Sequence, residues 1–414
     1  MVEKRIPLPV DKAVEKVVAH ATFMAVEQVP LENSYGRILA EPVIATSHVP
    51  PFNRSPYDGF AIRSQDSAGA SGDNRIAFQV IDHIGAGEVS AKKIQAFEAI
   101  RIMTGAQLPE NADAIVMFEQ TVETSSGITI RKSFQSFENV SLQGEDLQKG
   151  ETVMDRGSFI NPGTIGLLAT FGYSQVMVAK QPVVGVLSTG TELLAVEDEL
   201  MPGKIRNSNG PMIIAQLKRM GLDCKMYGVS VDHIEESFQV VKKAAEETDC
   251  LITTGGVSVG DFDFLPAIYE KLGAHVLFNK VAMRPGSVTT VAVANNRYLF
   301  GLSGNPSACF TGFELFVRPA LLKMMGANKL YMPLTTAILA EDFTKANPFT
   351  RFVRASYDGK TVAPAGFNKS NAVSSIARGN ALMVLPGGTR GFTIGDSVDV
   401  LLLGMEEGTD TWQL

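Results

Sequence analysis

A glycine-rich turn over residues 254–263 carries the side chains best suited to bind an anion. It follows the apolar run Cys250–Ile252, which is typical of a buried strand, and precedes a segment whose apolar residues fall on one helical face. N–H groups at a helix start have no partner within the helix, so we expect those of this turn to point outward unpaired. The helix dipole favours negative charge there. Glycines allow close approach of a phosphate, and hydroxyl groups donate hydrogen bonds. The candidate residues are Thr254, Gly255, Gly256, Ser258 and Gly260.

Two other interpretations of this turn compete with an anion site. The glycines could serve only the backbone geometry of a tight turn between strand and helix. A nucleotide loop is disfavoured, because the residues match neither the Walker pattern nor GxGxxG. Asp263, at the start of the helix, could cap its N–H groups or hold a metal ion beside a phosphate.

The composition is that of a globular protein with several domains. The chain has 414 residues, 45% of them hydrophobic and 20% charged, which predicts roughly two to four domains. The net charge of −7 argues against general nucleic-acid binding, so an anionic ligand requires a local basic cluster. No apolar run approaches the ~20 residues of a membrane span. We therefore expect a cytoplasmic protein with no membrane or nucleic-acid partner.

The cysteines and histidines indicate no metal site. Cys224, Cys250 and Cys309 lie in apolar segments without metal-ligand spacing, which favours three packed thiols. The five histidines are scattered singly along the chain.

Residues 181–326 alternate between strand and helix patterns, which predicts a mostly parallel sheet with right-handed crossovers. Ligands of such sheets bind beyond the carboxyl ends of the strands. Three predicted strand ends, at 188–192, Asp232 and 254–263, should therefore share one crevice. A β-hairpin over 287–302, with its turn at Asn295-Asn296, should complete the sheet. Asn305-Pro306 should then open a last apolar helix.

The rest of the chain predicts an α/β multidomain protein. Residues 46–145 read as a β-rich domain inserted into an elongated N-terminal domain of helices and strands, formed by residues 1–45 and 146–180. A short helix is expected at about 34–40. Residues 327–414 alternate apolar and polar side chains between Gly/Pro turns, which predicts a small C-terminal β-domain.

Several motifs occur in a specific order along about residues 5–405, and this order resembles the molybdopterin molybdenumtransferase family, with the bacterial MoeA proteins and the E domain of gephyrin. No single motif suffices, but the ordered set is specific. The motifs are Pro50-Pro51-Phe52…Ser55…Asp58-Gly59-Phe60-Ala61, Arg101–Ala106, Gly144-Glu145-Asp146, Ser188-Thr189-Gly190…Glu192-Leu193, Gly255–Gly260…Asp263, Lys280…Arg284-Pro285-Gly286 and Gly304-Asn305-Pro306.

The resemblance implies the last step of molybdenum cofactor synthesis. In that step adenylylated molybdopterin and molybdate, the substrates, give molybdenum cofactor and AMP with Mg²⁺. It also implies a central molybdopterin-binding domain and a homodimer whose clefts use both subunits. Molybdopterin adenylyltransferase and other proteins of cofactor synthesis are the implied partners.

The resemblance also assigns roles to matching residues. The implied catalytic residues are Asp58, Thr104, Asp146, Asp232, Lys280 and Arg284. Glu192 and Asp263 would hold Mg²⁺, which prefers oxygen ligands. Substrate would be bound by the glycine-turn residues and by Asn305, Arg351, Arg354 and Ser370. Cations are required for molybdate, a doubly charged tetrahedral anion, and we expect a basic pocket that contains Arg284, Lys280 and an arginine of the C-terminal domain. The alternatives are a pair of solvated edge-strand charges for Lys280 and Arg284, and a surface salt bridge for Arg351 and Arg354. A turn residue and a helix cap are the alternatives for Asp146 and Asp232.

The sequence departs from the commoner family pattern in several places. Thr191 removes a carboxylate, Arg284 and Ser287 stand where lysines are frequent, and Ser303 replaces a proline. Tyr57 and Arg54 are also uncommon at their positions. Arg284 can still grip molybdate, since arginine recognises anions through two parallel hydrogen bonds.

Three classes of function remain open at this point: the transferase, a molybdopterin adenylyltransferase and a non-catalytic scaffold. The adenylyltransferase usually lacks the Asp58 loop and the C-terminal β-domain. A scaffold could lose Asp58 and Asp263, and this chain has both.

Overall fold

The computed structural model describes residues 6–230, 234–256 and 265–404. They form two compact units. The first comprises the described residues of Met1–Glu41, Arg156–Asn161 and Gln175–Leu414, and the second comprises Pro42–Asp155 and Pro162–Ser174.

The helices of the described residues are α1 (Val10–Ala19), α2 (Pro162–Thr170), α3 (Asn209–Arg219), α4 (Ile234–Glu247), α5 (Leu265–Lys271), α6 (Pro306–Gly312), α7 (Arg318–Met324) and α8 (Ser374–Arg378). A π-helical turn, Phe313–Val317, joins α6 to α7. No helix in the described part of the chain is both long and apolar enough to cross a membrane.

The strands are β1 (Val26–Pro30), β2 (Val43–Ile44), β3 (Gly59–Ile62), β4 (Ile76–Ile84), β5 (Glu98–Ile102), β6 (Ala114–Met117), β7 (Thr121–Thr124), β8 (Gly127–Ile130), β9 (Thr152–Met154), β10 (Gln175–Ala179), β11 (Val184–Thr189), β12 (Leu193–Leu194), β13 (Ile205–Arg206), β14 (Cys224–Ser230), β15 (Cys250–Thr254), β16 (His275–Phe278), β17 (Met283–Arg284), β18 (Thr290–Ala294), β19 (Arg297–Leu302), β20 (Leu334–Leu339), β21 (Thr350–Tyr357), β22 (Thr361–Pro364), β23 (Ala381–Leu385) and β24 (Ser397–Leu402).

The predicted α/β sheet is confirmed in the first unit. Its strand order is β14-β11-β15-β19-β18-β16, and the first four strands are parallel. Helices α1, α3, α6 and α7 pack on one face, and α4 and α5 pack on the other. Both faces are therefore buried, which is why these strands read as continuous apolar runs in the sequence.

The predicted hairpin is also confirmed. Strands β18 and β19 pair antiparallel, and both turn residues, Asn295 and Asn296, have positive φ, of 49° and 62°. Asparagine tolerates this conformation, and two such residues suit the tight turns that connect hairpin strands.

The helix expected at about 34–40 is wrong. Gly36 has φ of +79°, and its N–H donates to the carbonyl of Ile160. Ile38 and Leu39 instead make isolated β-bridges, to Phe159 and Val178. The backbone here bonds to neighbouring segments of the same unit, so the local helical pattern does not decide its structure.

The C-terminal strands close into a small barrel, as predicted for a β-domain. Pairing runs β21-β22-β20-β24-β23, and β23 pairs back onto β21. The short strand β17 adds to β21 in parallel. A segment between two strands of the α/β sheet, β16 and β18, thus joins the barrel, and sheet and barrel both belong to the first unit.

The second unit contains a six-stranded sheet with the order β6-β3-β5-β4-β8-β7. Its two faces carry separate apolar clusters, one around Phe60 and Phe78 and the other around Ile100 and Ile115. Gly59 fits where a side chain cannot, since an added Cβ would lie 2.1 Å from the Val116 carbonyl oxygen.

Candidate active site

A strongly cationic pocket of about 550 Å³ lies in the first unit, where β17 and the loop after it meet the barrel and the start of α6. Of the described residues that line it, five are basic and none is Asp or Glu. The basic residues are Arg284, Lys345, Arg351, Arg354 and Lys369. None of them forms an ion pair with another described residue. Such a pocket suits an anion of more than one negative charge.

Strand pairing places Arg284 beside Arg351. The two residues are register partners on β17 and β21. The Arg351 Nε donates to Asn347 Oδ1 at 2.6 Å, and its guanidinium carbon lies 5.7 Å from the centre of the Phe343 ring. Burial lowers the pKa of Arg351, and the charge of Arg284 lowers it further. These two like charges are close, and a bound anion would relieve their repulsion.

Arg354 anchors the loop that forms one wall of the pocket. Its side chain is buried, with Nε donating to Ser375 Oγ at 3.2 Å and Nη2 donating to the Lys369 carbonyl at 3.1 Å. Burial lowers its pKa to about 10, so the guanidinium stays charged at neutral pH. Ser370, which follows Lys369, is exposed, and its carbonyl accepts a hydrogen bond from the Ser307 N–H at 3.1 Å. Arg354 therefore contributes both charge and loop position.

The start of α6 supplies neutral polar groups to the same pocket. Asn305 is the N-cap residue, but its side chain makes no capping hydrogen bond and is exposed. The Ser303 Oγ instead accepts from the Asn305 N–H at 3.2 Å. The serine that departs from the family pattern thus fixes the turn before the helix, and both residues line the pocket.

The glycine turn begins at the end of β15, next to the end of β11. Gly255 and Gly256 have φ of +89° and +63°, and a Cβ on Gly255 would lie 2.5 Å from the Thr189 carbonyl oxygen. Backbone geometry alone therefore explains why glycine stands at both positions, without a bound ligand. The expectation of unpaired N–H groups is wrong for Gly255, because its N–H donates to the Leu302 carbonyl at 3.0 Å.

Thr254 is buried, and its hydroxyl donates to Ser188 Oγ at 3.3 Å. The two residues are register partners on β15 and β11, so the predicted meeting of these strand ends is confirmed. The predicted residues Asp232, Ser258, Gly260 and Asp263 lie outside the described residues.

Glu192 is the one predicted magnesium ligand that the structure describes. It is exposed, and its carboxylate covers Gly190, where a Cβ would meet an oxygen at 2.4 Å. No group of three or more His, Cys, Asp or Glu residues in the described ranges could hold a metal ion. Among the described residues, Glu192 is the one predicted carboxylate ligand at this strand end, and the magnesium site stays a prediction from the sequence.

In the second unit, Asp58 and Thr104 form a direct pair. Asp58 Oδ1 accepts from the Thr104 N–H at 2.7 Å and from its hydroxyl at 2.8 Å. These two bonds, the backbone one first, hold the pKa of Asp58 below its ordinary value. Both residues are exposed. The structure thus presents an ionised, fixed carboxylate on the surface of this unit.

Backbone hydrogen bonds connect the loops of the second unit that carry predicted site residues. Asp146 is exposed, and its N–H donates to the Val49 carbonyl at 3.0 Å. Gly105 and Ser55 bond through N–H and carbonyl at 2.8 Å, which joins the Thr104 loop to the one before Asp58. The three loops are therefore held together.

Sequence reasoning and structure differ on some members of the cationic pocket. Lys280 was expected beside Arg284, but it does not line this pocket. Lys345, Lys369 and Asn368 line it and were not predicted. A usable signal was the position of Lys369 directly before Ser370.

Comparison with known families defines the class. Residues 8–172 match the model of the MoeA N-terminal region (domain I and II), and residues 185–323 match a probable molybdopterin binding domain. Residues 336–403 match the MoeA C-terminal region (domain IV). The α/β sheet, the barrel and the β-rich unit thus all have counterparts in one multidomain class.

Full-length relatives then identify the family. A molybdopterin molybdenumtransferase of Staphylococcus epidermidis is 59% identical over 405 residues, and one of Staphylococcus aureus is 58% identical over 406. Each match covers 97% of both chains. The crystal structure of a molybdopterin biosynthesis moeA protein from Pyrococcus horikoshii OT3 superposes with a TM-score of 0.85 at 28% identity, covering 96% of this chain and 100% of that one. The chain belongs to the molybdopterin molybdenumtransferase family.

Proposed function

We propose that this chain inserts molybdate into adenylylated molybdopterin, releasing AMP and giving molybdenum cofactor. The observation that carries the proposal is the pocket, whose described lining residues include five basic ones and no carboxylate. It lies in a chain that matches relatives named molybdopterin molybdenumtransferase over nearly their whole length. Molybdate is a tetrahedral dianion, and such a pocket matches it in charge.

In this proposal Arg284 and Arg351 grip the molybdate. Guanidinium groups can donate two parallel hydrogen bonds to one oxyanion, and charge-assisted bonds are shorter and stronger than neutral ones. Arg354 adds a buried positive charge. Its hydrogen bond to the Lys369 carbonyl holds the loop that contains Ser370 at the pocket wall. Asn305 and Ser370 supply neutral donors, since the Asn305 side chain is not used as a helix cap.

The remaining predicted site residues would act on the pterin substrate. The glycine turn after β15, with Ser258 and Gly260, would hold the phosphate end, and Asp232 would be a catalytic residue of the cleft. The Asp58–Thr104 pair and Asp146 would orient the adenylylated group. Mg²⁺, if held by Glu192 and Asp263, would supply charge neutralisation at the phosphates.

The assembly forms part of the same proposal. The ionised Asp58 carboxylate and its partner Thr104 lie exposed on the surface of their unit, which supports a homodimer with clefts built from both subunits. Molybdopterin adenylyltransferase would supply the substrate. A cytoplasmic location, with no nucleic-acid partner, follows as a prediction from the composition.

The experiment is AMP release by the purified protein from adenylylated molybdopterin and molybdate. Arg284→Ala should weaken molybdate binding by about 1.5–3 kcal/mol, or about 10- to 150-fold. Lys360→Gln is a matched control, since Lys360 is exposed on the same barrel and does not line the pocket. Normal molybdate binding by Arg284→Ala would place the site elsewhere. Release of AMP without molybdate dependence would contradict the reaction.

A further inference from the structure

Two lysines at the border of the cationic pocket have no task in the proposed reaction. Lys345 lies before β21, and Lys369 lies in the loop that Arg354 anchors. We propose that Lys345 and Lys369 form an outer rim of charge that captures divalent oxyanions and makes the pocket prefer dianions over monoanions. The inference rests on the proposed function, because it concerns the same pocket.

Lys345 is positioned by an aromatic ring that it shares with Arg351. Its Nζ lies 5.9 Å from the centre of the Phe343 ring, and the Arg351 guanidinium carbon lies 5.7 Å from the same centre. Phe343 is buried, so the ring is a fixed support for both cations. Cations within about 6 Å of a ring face are attracted to it. Lys345 is thereby kept next to an arginine of the pocket while remaining exposed.

Lys369 is positioned by its backbone. Its carbonyl accepts from Arg354 Nη2 at 3.1 Å and from Ser307 Oγ at 3.3 Å. Its Nζ lies 5.3 Å from the centre of the exposed Phe367 ring. The main chain of Lys369 is thus tied to β21 through Arg354 and to α6 through Ser307, and its side chain is exposed.

The exposure of the two lysines separates their role from that of the arginines. Exposed charges act mainly by attracting a ligand over about 10 Å at 0.1 M salt, and this attraction is screened as salt rises. The chain as a whole carries a net charge of −7 and repels anions, so a local positive rim is needed at the pocket. Coulomb attraction doubles when the ligand charge doubles. The rim should therefore favour molybdate over a monoanion.

The test measures molybdate binding by calorimetry at low and high KCl, for the wild type and for Lys345→Gln with Lys369→Gln. We expect the double variant to bind about three- to tenfold more weakly at low salt, from two exposed pairs. At high salt the difference should fall below about twofold, because screening removes it. Competition by sulfate, a dianion, should weaken in the same way, whereas competition by perchlorate, a monoanion, should change less.

Two control variants distinguish the possible failures. Lys360→Gln should bind molybdate as the wild type does, and Arg284→Ala should bind weakly at both salt concentrations. If Arg284→Ala is weakened but the double lysine variant is not, the rim is refuted and the pocket stands. If Arg284→Ala also binds normally, the proposed function of the pocket fails. An equal loss at low and high salt, or equal loss for perchlorate, would refute capture by the rim.

Discussion

The pairing of Arg284 with Arg351 predicts opposite effects of one substitution on stability and on binding. Like charges at paired positions of neighbouring strands repel each other, and the interaction of two exposed charges is worth about 0.2–1 kcal/mol. Arg284 is exposed, so water weakens the repulsion and the lower half of that range applies. Without an anion, Arg284→Gln should therefore raise the free energy of unfolding by about 0.2–0.6 kcal/mol. This gain should vanish at 1 M KCl, where the Debye length is about 3 Å.

Molybdate should make the wild type more stable than the Arg284→Gln variant. A ligand that binds only the folded protein stabilises it by about 2.7 kcal/mol at a hundredfold excess over its dissociation constant. Arg284→Gln loses a charge-assisted contact worth about 1.5–3 kcal/mol and should lose most of this stabilisation. The assay is thermal unfolding at low salt with increasing molybdate, with Lys360→Gln as control. The unfolding midpoint of the wild type should lie below that of the variant without molybdate and above it at saturating molybdate.

Two results would refute this reasoning. A lower unfolding midpoint for Arg284→Gln without molybdate would mean that the two guanidinium groups are not in electrostatic conflict. Equal stabilisation of both proteins by molybdate would mean that Arg284 does not contact the anion. The second result would leave the strand pairing intact, since that pairing depends on main-chain bonds between β17 and β21.

The remaining predictions concern the Asp58–Thr104 pair and the assembly. Thr104→Val should raise the pKa of Asp58 toward its ordinary value of 3.8 without restoring it, because the backbone N–H of Thr104 remains and is the larger cause of the shift. Thr104→Ser keeps the hydroxyl and should leave the pKa unchanged. NMR titration of the carboxyl group measures both effects. Because that pKa is lowered in the folded protein, the ionised carboxylate and the stabilisation from its bonds persist at neutral and mildly acid pH and are lost only as the pH falls below 3.8. Asp58→Asn should fold, since its Oδ1 still accepts both bonds, but should stop AMP release; full activity would make Asp58 structural. Sedimentation should find a dimer, and a fully active monomer would contradict composite clefts.

Local signals in the sequence predicted much of the fold. The apolar runs of β11 and β15 and the Asn295-Asn296 turn are decided by nearby residues and by burial, so pattern and structure agree. The helix expected at about 34–40 failed for the opposite reason. Gly36 breaks the local pattern, and its backbone bonds to Ile160, far along the chain.

The candidate site was harder to predict, because its members meet through long-range pairing. Arg284 and Arg351 are distant in sequence and become neighbours only when β17 joins the barrel. Lys345 carries no pattern that separates it from an ordinary surface lysine, and only the position of Lys369 directly before Ser370 marks that residue. The sequence also suggested free N–H groups at the glycine turn, yet Gly255 bonds to Leu302 on the next strand of the sheet. A turn pattern cannot reveal a partner that a neighbouring strand supplies.

The position of the pocket links anion binding to the joint between the α/β sheet and the barrel. Arg284 belongs to the segment that connects β16 to β18 of the α/β sheet. Arg351 and Arg354 belong to the barrel strand β21. The main-chain pairing that brings these segments together also brings their charges together, so the joint carries an electrostatic cost when no anion is bound. An oxyanion bound between the arginines, as we propose, would remove that cost and add hydrogen bonds to both sides. Molybdate should therefore stabilise this joint more than any other part of the first unit, and protection of β17 and β21 amides from hydrogen exchange should rise most when it binds.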